Sequence, residues 1–320
     1  MNKRVATITL NPAYDLVGYA DHLQYGNTNL VNTISVHAGG KGINVARILK
    51  ELGMDVTVFG FLGKQNQDGF QNLFKRTGII NHFHIIEGHT RINVKLTTQN
   101  GELTEINFSG LKITKKEWEH FTDESLTFLS QFDMLCISGS LPNGVTLSAF
   151  TDWMIQLHKY CPFIVFDSSR DALVAGLKAK PSLIKPNKYE LEIWAGRNLP
   201  TLSDIITTAC ALLQQGIENI VVSLGEEGAV WVNSHEVWIA KPPYCNVVST
   251  AGAGDSMVGG LMYGILMEKS TEYTLRLATA IAALAVNQSS VGITDLTELY
   301  KMMGRVNLYP YSVQKAGAIS

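Results

Sequence analysis

The chain is short of several things, and each scarcity narrows what it can be. Cysteine is rare: four in 320 residues, at Cys136, Cys161, Cys210 and Cys245. They are far apart, no C-x-x-C pair occurs, and each sits among apolar neighbours. That excludes a disulfide scaffold and reads as buried, reduced thiols, with a catalytic thiol a remote second reading. Net charge is also scarce, at -2. Such balance leaves no electrostatic footprint for nucleic acid or an anionic membrane, so anion binding must come from local clusters. No apolar run approaches the roughly 20 residues that span a bilayer. Residues 1–10 carry two early cations and then alternate polar with apolar, which predicts a first strand and not a signal peptide. A soluble, cytoplasmic protein is the expectation. Linkers, low-complexity segments and repeats of 20–50 residues are missing too.

What is present is a chain 46% hydrophobic and 17% charged, long enough for one large α/β domain with a full core. Strand-like runs at 4–10, 55–61, 134–138, 163–167, 183–185 and 220–224 alternate with helical ones at 42–52, 68–76, 147–159, 202–215, 255–266 and 274–285. A hairpin-like unit falls at 229–232 and 236–240. Repeated β-α spacing of this kind predicts a mainly parallel sheet covered by helices on both faces. Two segments, 12–37 and 89–108, hold strand-like stretches without helices between them and predict a small accessory β-sheet, a lid or half of an interface. The stretch after residue 305 has little periodicity and is expected to be loosely ordered at its end.

Six motifs carry chemistry. Residues 250–256 read Thr-Ala-Gly-Ala-Gly-Asp-Ser, after a strand-like 246–249 and before an apolar helix. Small residues let backbone N–H groups approach an anion, and the helix adds its positive end. Asp255 there is either a general base for an attacking hydroxyl or a plain helix N-cap. Residues 37–46 read His-Ala-Gly-Gly-Lys-Gly-Ile-Asn-Val-Ala, a second glycine-rich helix entry. It is not a Walker A loop, but Lys41 in the loop and Asn44 in the first turn would suit a sugar phosphate; a tight turn with a solvated lysine is the plainer reading. Arg91, Asn93 and Lys95 alternate, so a strand puts them on one face, as an oxyanion surface or a solvent-exposed one. Asn187 and Glu190 share a face at a helix start, as ligands of a hydrated Mg²⁺, as a capping box, or both. The turn 223–228, with two glycines after a buried strand, lies at the carboxyl end of the sheet, where open α/β folds bind ligands. Asp15, after the first strand, and Ser138, ending another, share that edge.

These motifs together resemble the PfkB (ribokinase-like) carbohydrate kinase family, from about residue 3 to about residue 305. The first signature is Gly39-Gly40-Lys41-Gly42-Ile43-Asn44-Val45-Ala46 and the second Gly252-Ala253-Gly254-Asp255. The stretches 11–15, 90–95 and 138–142 resemble the branch acting on phosphorylated hexoses, and 6–10, 166–170 and 192–197 its members that phosphorylate fructose 1-phosphate. The resemblance implies a three-layer sandwich with a central, mainly parallel sheet and the accessory sheet as a lid, as a single domain over 1–320. It implies ATP and Mg²⁺ as partners, fructose 1-phosphate as acceptor and a homodimer through the lid. It makes Asp255 the base and Gly252, Ala253 and Gly254 the anion hole. Asp15, Gly39, Gly40 and Asn44 would hold the sugar with Ser138 nearby, and Lys41 and Arg91 its phosphate. Asn187 and Glu190 would organise Mg²⁺. Lys185, Asn187, Ser223, Leu224, Gly225, Glu226, Glu227, Gly228, Gly254 and Asn287 would line the ATP site. Ser249 departs from the acid many members carry near that position, so a monovalent-cation site does not follow. Kinases for tagatose 6-phosphate or fructose 6-phosphate are the rival readings within the family. A sugar-phosphate sensor that docks on a transcription regulator is the rival of another class.

Overall fold

Apolar β-branched runs and amphipathic helical runs alternate along the chain, and the computed structural model, which describes residues 3–288, 291–293 and 295–311, follows that rhythm. Strand β1 (Arg4–Thr9) leads into β2 (Ala13–Ala20) and β3 (Asn32–Gly39). Helix α1 (Lys41–Glu51), β4 (Asp55–Gly63), α2 (Asp68–Thr77) and β5 (Ile80–Ile86) follow. Next come β6 (Arg91–Thr98), β7 (Leu103–Asn107), α3 (Lys115–Leu129), β8 (Met134–Ser138) and α4 (Leu147–Leu157). Then come β9 (Ile164–Asp167), α5 (Arg170–Leu177), β10 (Leu183–Ile184), α6 (Lys188–Ala195) and α7 (Leu202–Gln214). The chain continues through β11 (Asn219–Ser223), β12 (Ala229–Asn233), β13 (Val237–Lys241), α8 (Ala253–Leu266), α9 (Thr271–Val286), α10 (Leu296–Arg305) and β14 (Asn307–Pro310).

Ten strands form one sheet in the order β14-β13-β12-β11-β10-β9-β8-β1-β4-β5. The run from β11 to β5 is parallel, and β12, β13 and β14 add on antiparallel. One core packs this sheet against α1, α2, α8, α9 and α10, and a second packs its other face against α3 to α7. Neighbours in β1 show the split: Val5 joins the first core, Ala6 the second. Three layers result. Because β4 and β8 flank β1, the strand order reverses there, and the carboxyl ends of these strands open a crevice of the kind that binds ligands.

The other four strands pair as β3-β2-β6-β7 in a separate sheet. Register makes it two-faced. His37, Asp15, Asn93 and Asn107 lie abreast on one side, and Val36, Leu16, Val94 and Ile106 on the other.

Some expectations need correction. Residues 246–249 are irregular, not a strand, and Val247 and Val248 are exposed. Lys41 opens α1 and is not in the preceding loop. After Arg305 the chain forms β14, which pairs with β13 and closes that edge of the sheet; the expected loose end, 312–320, lies outside the described residues. Helix α3 escaped notice although Thr114 and Glu117 form a complete capping box, and so did β5. Among the described residues no helix is long and apolar enough to cross a membrane.

Candidate active site

The first turn of α8 settles what Asp255 does locally. The N-cap is Gly252, at φ 78°, with no side-chain cap bond. A methyl added there would lie 2.2 Å from Cγ2 of Val291, so this left-handed position suits glycine. Amides in a first turn have no intrahelical acceptor; here the Ala253 amide reaches back to the Thr250 carbonyl at 3.4 Å, and those of Gly254 and Asp255 are left to meet an anion. Asp255 is therefore not the cap. It is 7% exposed, and its Oδ2 accepts a hydrogen bond from Asn44 Nδ2 at 2.8 Å. Burial raises its pKa; the positive charge of Lys41 opposes that rise and the carboxylate of Asp167 adds to it. A carboxylate lifted toward neutrality is a better proton acceptor.

Behind it lies a charge network that sequence reasoning missed. Asp167, the last residue of β9, is 1% exposed. Lys41 Nζ donates to its Oδ2 at 3.2 Å, and Lys185 Nζ sits 3.6 Å from its Oδ1. Burial opposes the charge on Asp167, but Lys185 and Lys41 outweigh it and hold the carboxyl below its usual range. Burial likewise opposes the charge on Lys41, yet Asp167, Asp255 and Glu190 outweigh it and hold the ammonium above the usual range. A charged residue closing the apolar run Ile164–Asp167 was the available signal. A methyl on Gly254 would lie 3.2 Å from Lys185 Nζ, so this ammonium reaches the start of α8.

Asn187 and Glu190 form the capping box of α6. Asn187 Oδ1 accepts from the Glu190 amide at 2.8 Å, and Glu190 Oε2 accepts from the Asn187 amide at 2.9 Å. Burial raises the Glu190 carboxyl. Asp167 Oδ1 is buried with no donor within hydrogen-bond distance, the Lys185 ammonium at 3.6 Å being its ion-pair partner. Three carboxylates, on Asp167, Asp255 and Glu190, thus face two ammonium groups, on Lys41 and Lys185. An oxygen-ligated divalent cation fits this orphaned oxygen and residual negative charge.

Beside α8 opens a cavity of about 1050 Å³. Asn187, Ser223, Gly225, Glu226 and Gly228 line it, with Ala253 and Gly254 at its inner end. Tyr244, Val247 and Met257 add apolar wall that sequence reasoning did not name. The other expected ATP-site residues are not in its wall. Leu224 packs toward the core, Glu227 is exposed on its turn, Lys185 turns to Asp167, and Asn287 is the C-cap of α9.

On the other side of Asp255, the polar face of the small sheet approaches. Lys95 Nζ pairs with Asp15 Oδ2 at 3.0 Å, and Asn93 Nδ2 donates to Asp15 Oδ1 at 3.4 Å. Gly39 lies between this cluster and that of Asp255: a methyl there would be 3.9 Å from Asp15 Oδ2 and 4.0 Å from Asn44 Oδ1. Gly40 has φ 144°, and its methyl would meet Thr9 Cγ2 at 2.7 Å, so the loop presses onto β1. Arg91 turns its guanidinium to backbone carbonyls: Nε to Pro12 at 3.4 Å, NH1 to Phe108 at 3.3 Å, and NH2 to Asn11 at 3.0 Å. Ser138 is 3% exposed, its hydroxyl 3.3 Å from Cys136 Sγ. Burial pushes the Cys136 thiol up to about 12, which makes it a poor nucleophile.

Carboxyl-end loops, an acid at a glycine-capped helix start and paired lysines gather at one edge of this sheet, an arrangement suited to phosphoryl transfer. Residues 3–298 match the pfkB family carbohydrate kinases, and the chain belongs to that family. It is 64% identical over 312 residues to the 1-phosphofructokinase of Escherichia coli K12, covering 98% of this chain and 100% of that protein. The 1-phosphofructokinase of Haemophilus influenzae is 48% identical, over 95% of this chain and 97% of that one. Among solved structures, phosphofructokinase-2 of Escherichia coli in complex with potassium superposes with TM-score 0.87 at 28% identity, over 94% of this chain and 98% of that one. The tetrameric inhibited form of the same protein gives 0.86 at 28% identity, again over 94% and 98%.

Proposed function

We propose that this chain transfers the γ-phosphoryl group of ATP to the 6-hydroxyl of fructose 1-phosphate, giving fructose 1,6-bisphosphate and ADP. One observation carries the chemistry: Asp255, buried and raised in pKa, stands in the first turn of α8 on the hydrogen bond from Asn44. Asp255 takes the hydroxyl proton as the sugar oxygen bonds to the γ-phosphorus. The bond from that phosphorus to the bridging oxygen of ADP breaks. Amides of Gly252, Ala253 and Gly254 stabilise charge on the transferring group, and Lys185 supports them. ATP occupies the cavity between 223–228 and α8. Asp15, Gly39, Gly40 and Asn44 hold the sugar with Ser138 behind them, and Lys41 and Arg91 its phosphate. Asn187 and Glu190, with Asp167, would hold Mg²⁺, which when bound neutralises phosphate charge. Because Glu190 Oε2 already serves the α6 cap, its other oxygen is the one available.

The high identity to two 1-phosphofructokinases favours fructose 1-phosphate over tagatose 6-phosphate and fructose 6-phosphate. The intact Asp255 weighs against a purely sensing role on a transcription regulator. We assign the small sheet as a lid, in a single kinase domain, that pairs with a second copy in a homodimer. Val36, Ile92 and Ile106 support this, being 54%, 44% and 48% exposed on or beside its apolar face. A cytoplasmic setting completes the reading. The test is a coupled ADP-release assay run side by side on the three sugar phosphates. The highest kcat/KM is expected on fructose 1-phosphate, and a higher value on either rival overturns the assignment.

A further inference from the structure

Away from the phosphotransfer site, β5 is the terminal strand at one end of the ten-stranded sheet, and α3 packs beside it. The cavity next to Ser223 lies toward the other end. His84 comes from β5; His120 and Glu124 come from α3, one turn apart and so on one helix face. His84 Nε2 is 3.2 Å from Glu124 Oε2, and His120 Nε2 is 3.7 Å from the same oxygen. One donor atom from each residue lies within 4.8 Å of the other two.

We propose that His84, His120 and Glu124 form a binding site for a zinc-like divalent transition-metal ion. Two imidazole nitrogens and one carboxylate oxygen are the donors such ions select, and a poor set for Mg²⁺ or Ca²⁺. Donors about 2.0–2.2 Å from a tetrahedral ion stand roughly 3.4 Å apart. The two measured separations bracket that figure. The histidine pair closes by small rotations of His120 and Glu124, whose side chains are 71% and 51% exposed. A plain hydrogen-bonded cluster explains the grouping less well: the His120 contact lies beyond hydrogen-bond range, although both imidazoles converge on one oxygen. The three side chains also line a cavity of about 630 Å³, shared with His82 and Glu117, which gives water access to the remaining coordination position. Bound metal ties α3 to the exposed edge strand.

The experiment uses the full chain, stripped with chelator and titrated with Zn²⁺ alone. Metal retained per chain is measured after desalting, and melting temperature with and without Zn²⁺. His120→Ala and Glu124→Gln each remove a ligand from the exposed surface, so folding is preserved. Each is expected to lose one equivalent of Zn²⁺ relative to the parent chain. Affinity falls by at least the about 10–100-fold that loss of an outer-shell partner costs. The Zn²⁺-dependent rise in melting temperature disappears with it, while Mg²⁺-dependent kinase turnover is unchanged. His22→Ala, at an exposed histidine elsewhere, keeps the equivalent. Wild-type stoichiometry in either α3 variant, or an equal loss in His22→Ala, overturns the site.

Discussion

In the ten-stranded sheet β8 buries all five of its residues, and in the four-stranded sheet β7 buries none. The first strand lies between two helical layers, so either face of it is core. The second belongs to a sheet with one polar face turned to the site and one apolar face turned outward. The large sheet carries its own stability and holds the proposed catalytic groups at its strand ends and at the helix starts beside them. The small sheet supplies the proposed sugar-binding side chains, and β7 at its edge is exposed throughout. The difference separates a rigid platform from a part whose order depends on what it covers.

Four measurements test this contrast, in descending order of expected effect. Asp255→Asn removes the base from the platform and is expected to lower kcat by about 10²–10⁴ while ATP still binds; near-native kcat refutes the base. In the parent enzyme kcat/KM falls on the acid side as pH drops through a value above the usual carboxylate range. The same raised pKa means that ionised Asp255 costs stability at neutral pH, a cost absent below the unfolded-state pKa. Asp255→Asn should therefore melt higher than the parent at neutral pH, and the gain should fade in acid. Next, Asp167→Ala leaves Lys185 buried and unpaired, and should cost about 3–5 kcal/mol in denaturant unfolding; a change under 1 kcal/mol would show the lysines are repaired by water. Third, Leu135→Ala in β8 should cost about 2–5 kcal/mol, whereas Ile106→Ala in β7 should stay within about 0.5 kcal/mol for the monomer. Equal losses would erase the distinction between the sheets. Last, Arg91→Ala should raise KM for the sugar phosphate about tenfold or more, the value of a charged hydrogen bond, and leave KM for ATP nearly unchanged. Matching rises in both would remove its phosphate role.

Periodicity made the large sheet legible because buried parallel strands are short apolar runs with helices between them. Glycine-rich turns before helices marked Gly252–Asp255 and Gly39–Asn44 for a physical reason: small residues and helix starts are local features. Asp167 was not legible, because its partners reach it only in the fold: Lys185 when β10 pairs with β9, and Lys41, 126 residues away, from the start of α1. Strand β5 was obscured by its histidines, which interrupt the apolar run because it is an edge strand beside solvent. The irregular course of 246–249 runs against propensity: two valines look like a strand, but among the described residues no strand pairs with them. The start of α3, by contrast, is a purely local signal: Thr114 and Glu117 three residues apart form a complete capping box.

Arg91 has one more lesson in simple counting. A guanidinium carries five N–H donors, and three are spent on the carbonyls of Asn11, Pro12 and Phe108. Asn11 and Pro12 connect β1 to β2, and Phe108 directly follows β7, so Arg91 rivets together the points where the chain enters and leaves the small sheet. Two donors remain, enough for a phosphate without letting go of the backbone. A ligand gripped there is thereby fastened to both connections at once. Lysine, with three donors and no planar fork, cannot serve both ends at once, so Arg91→Lys should behave like the alanine variant despite keeping its charge.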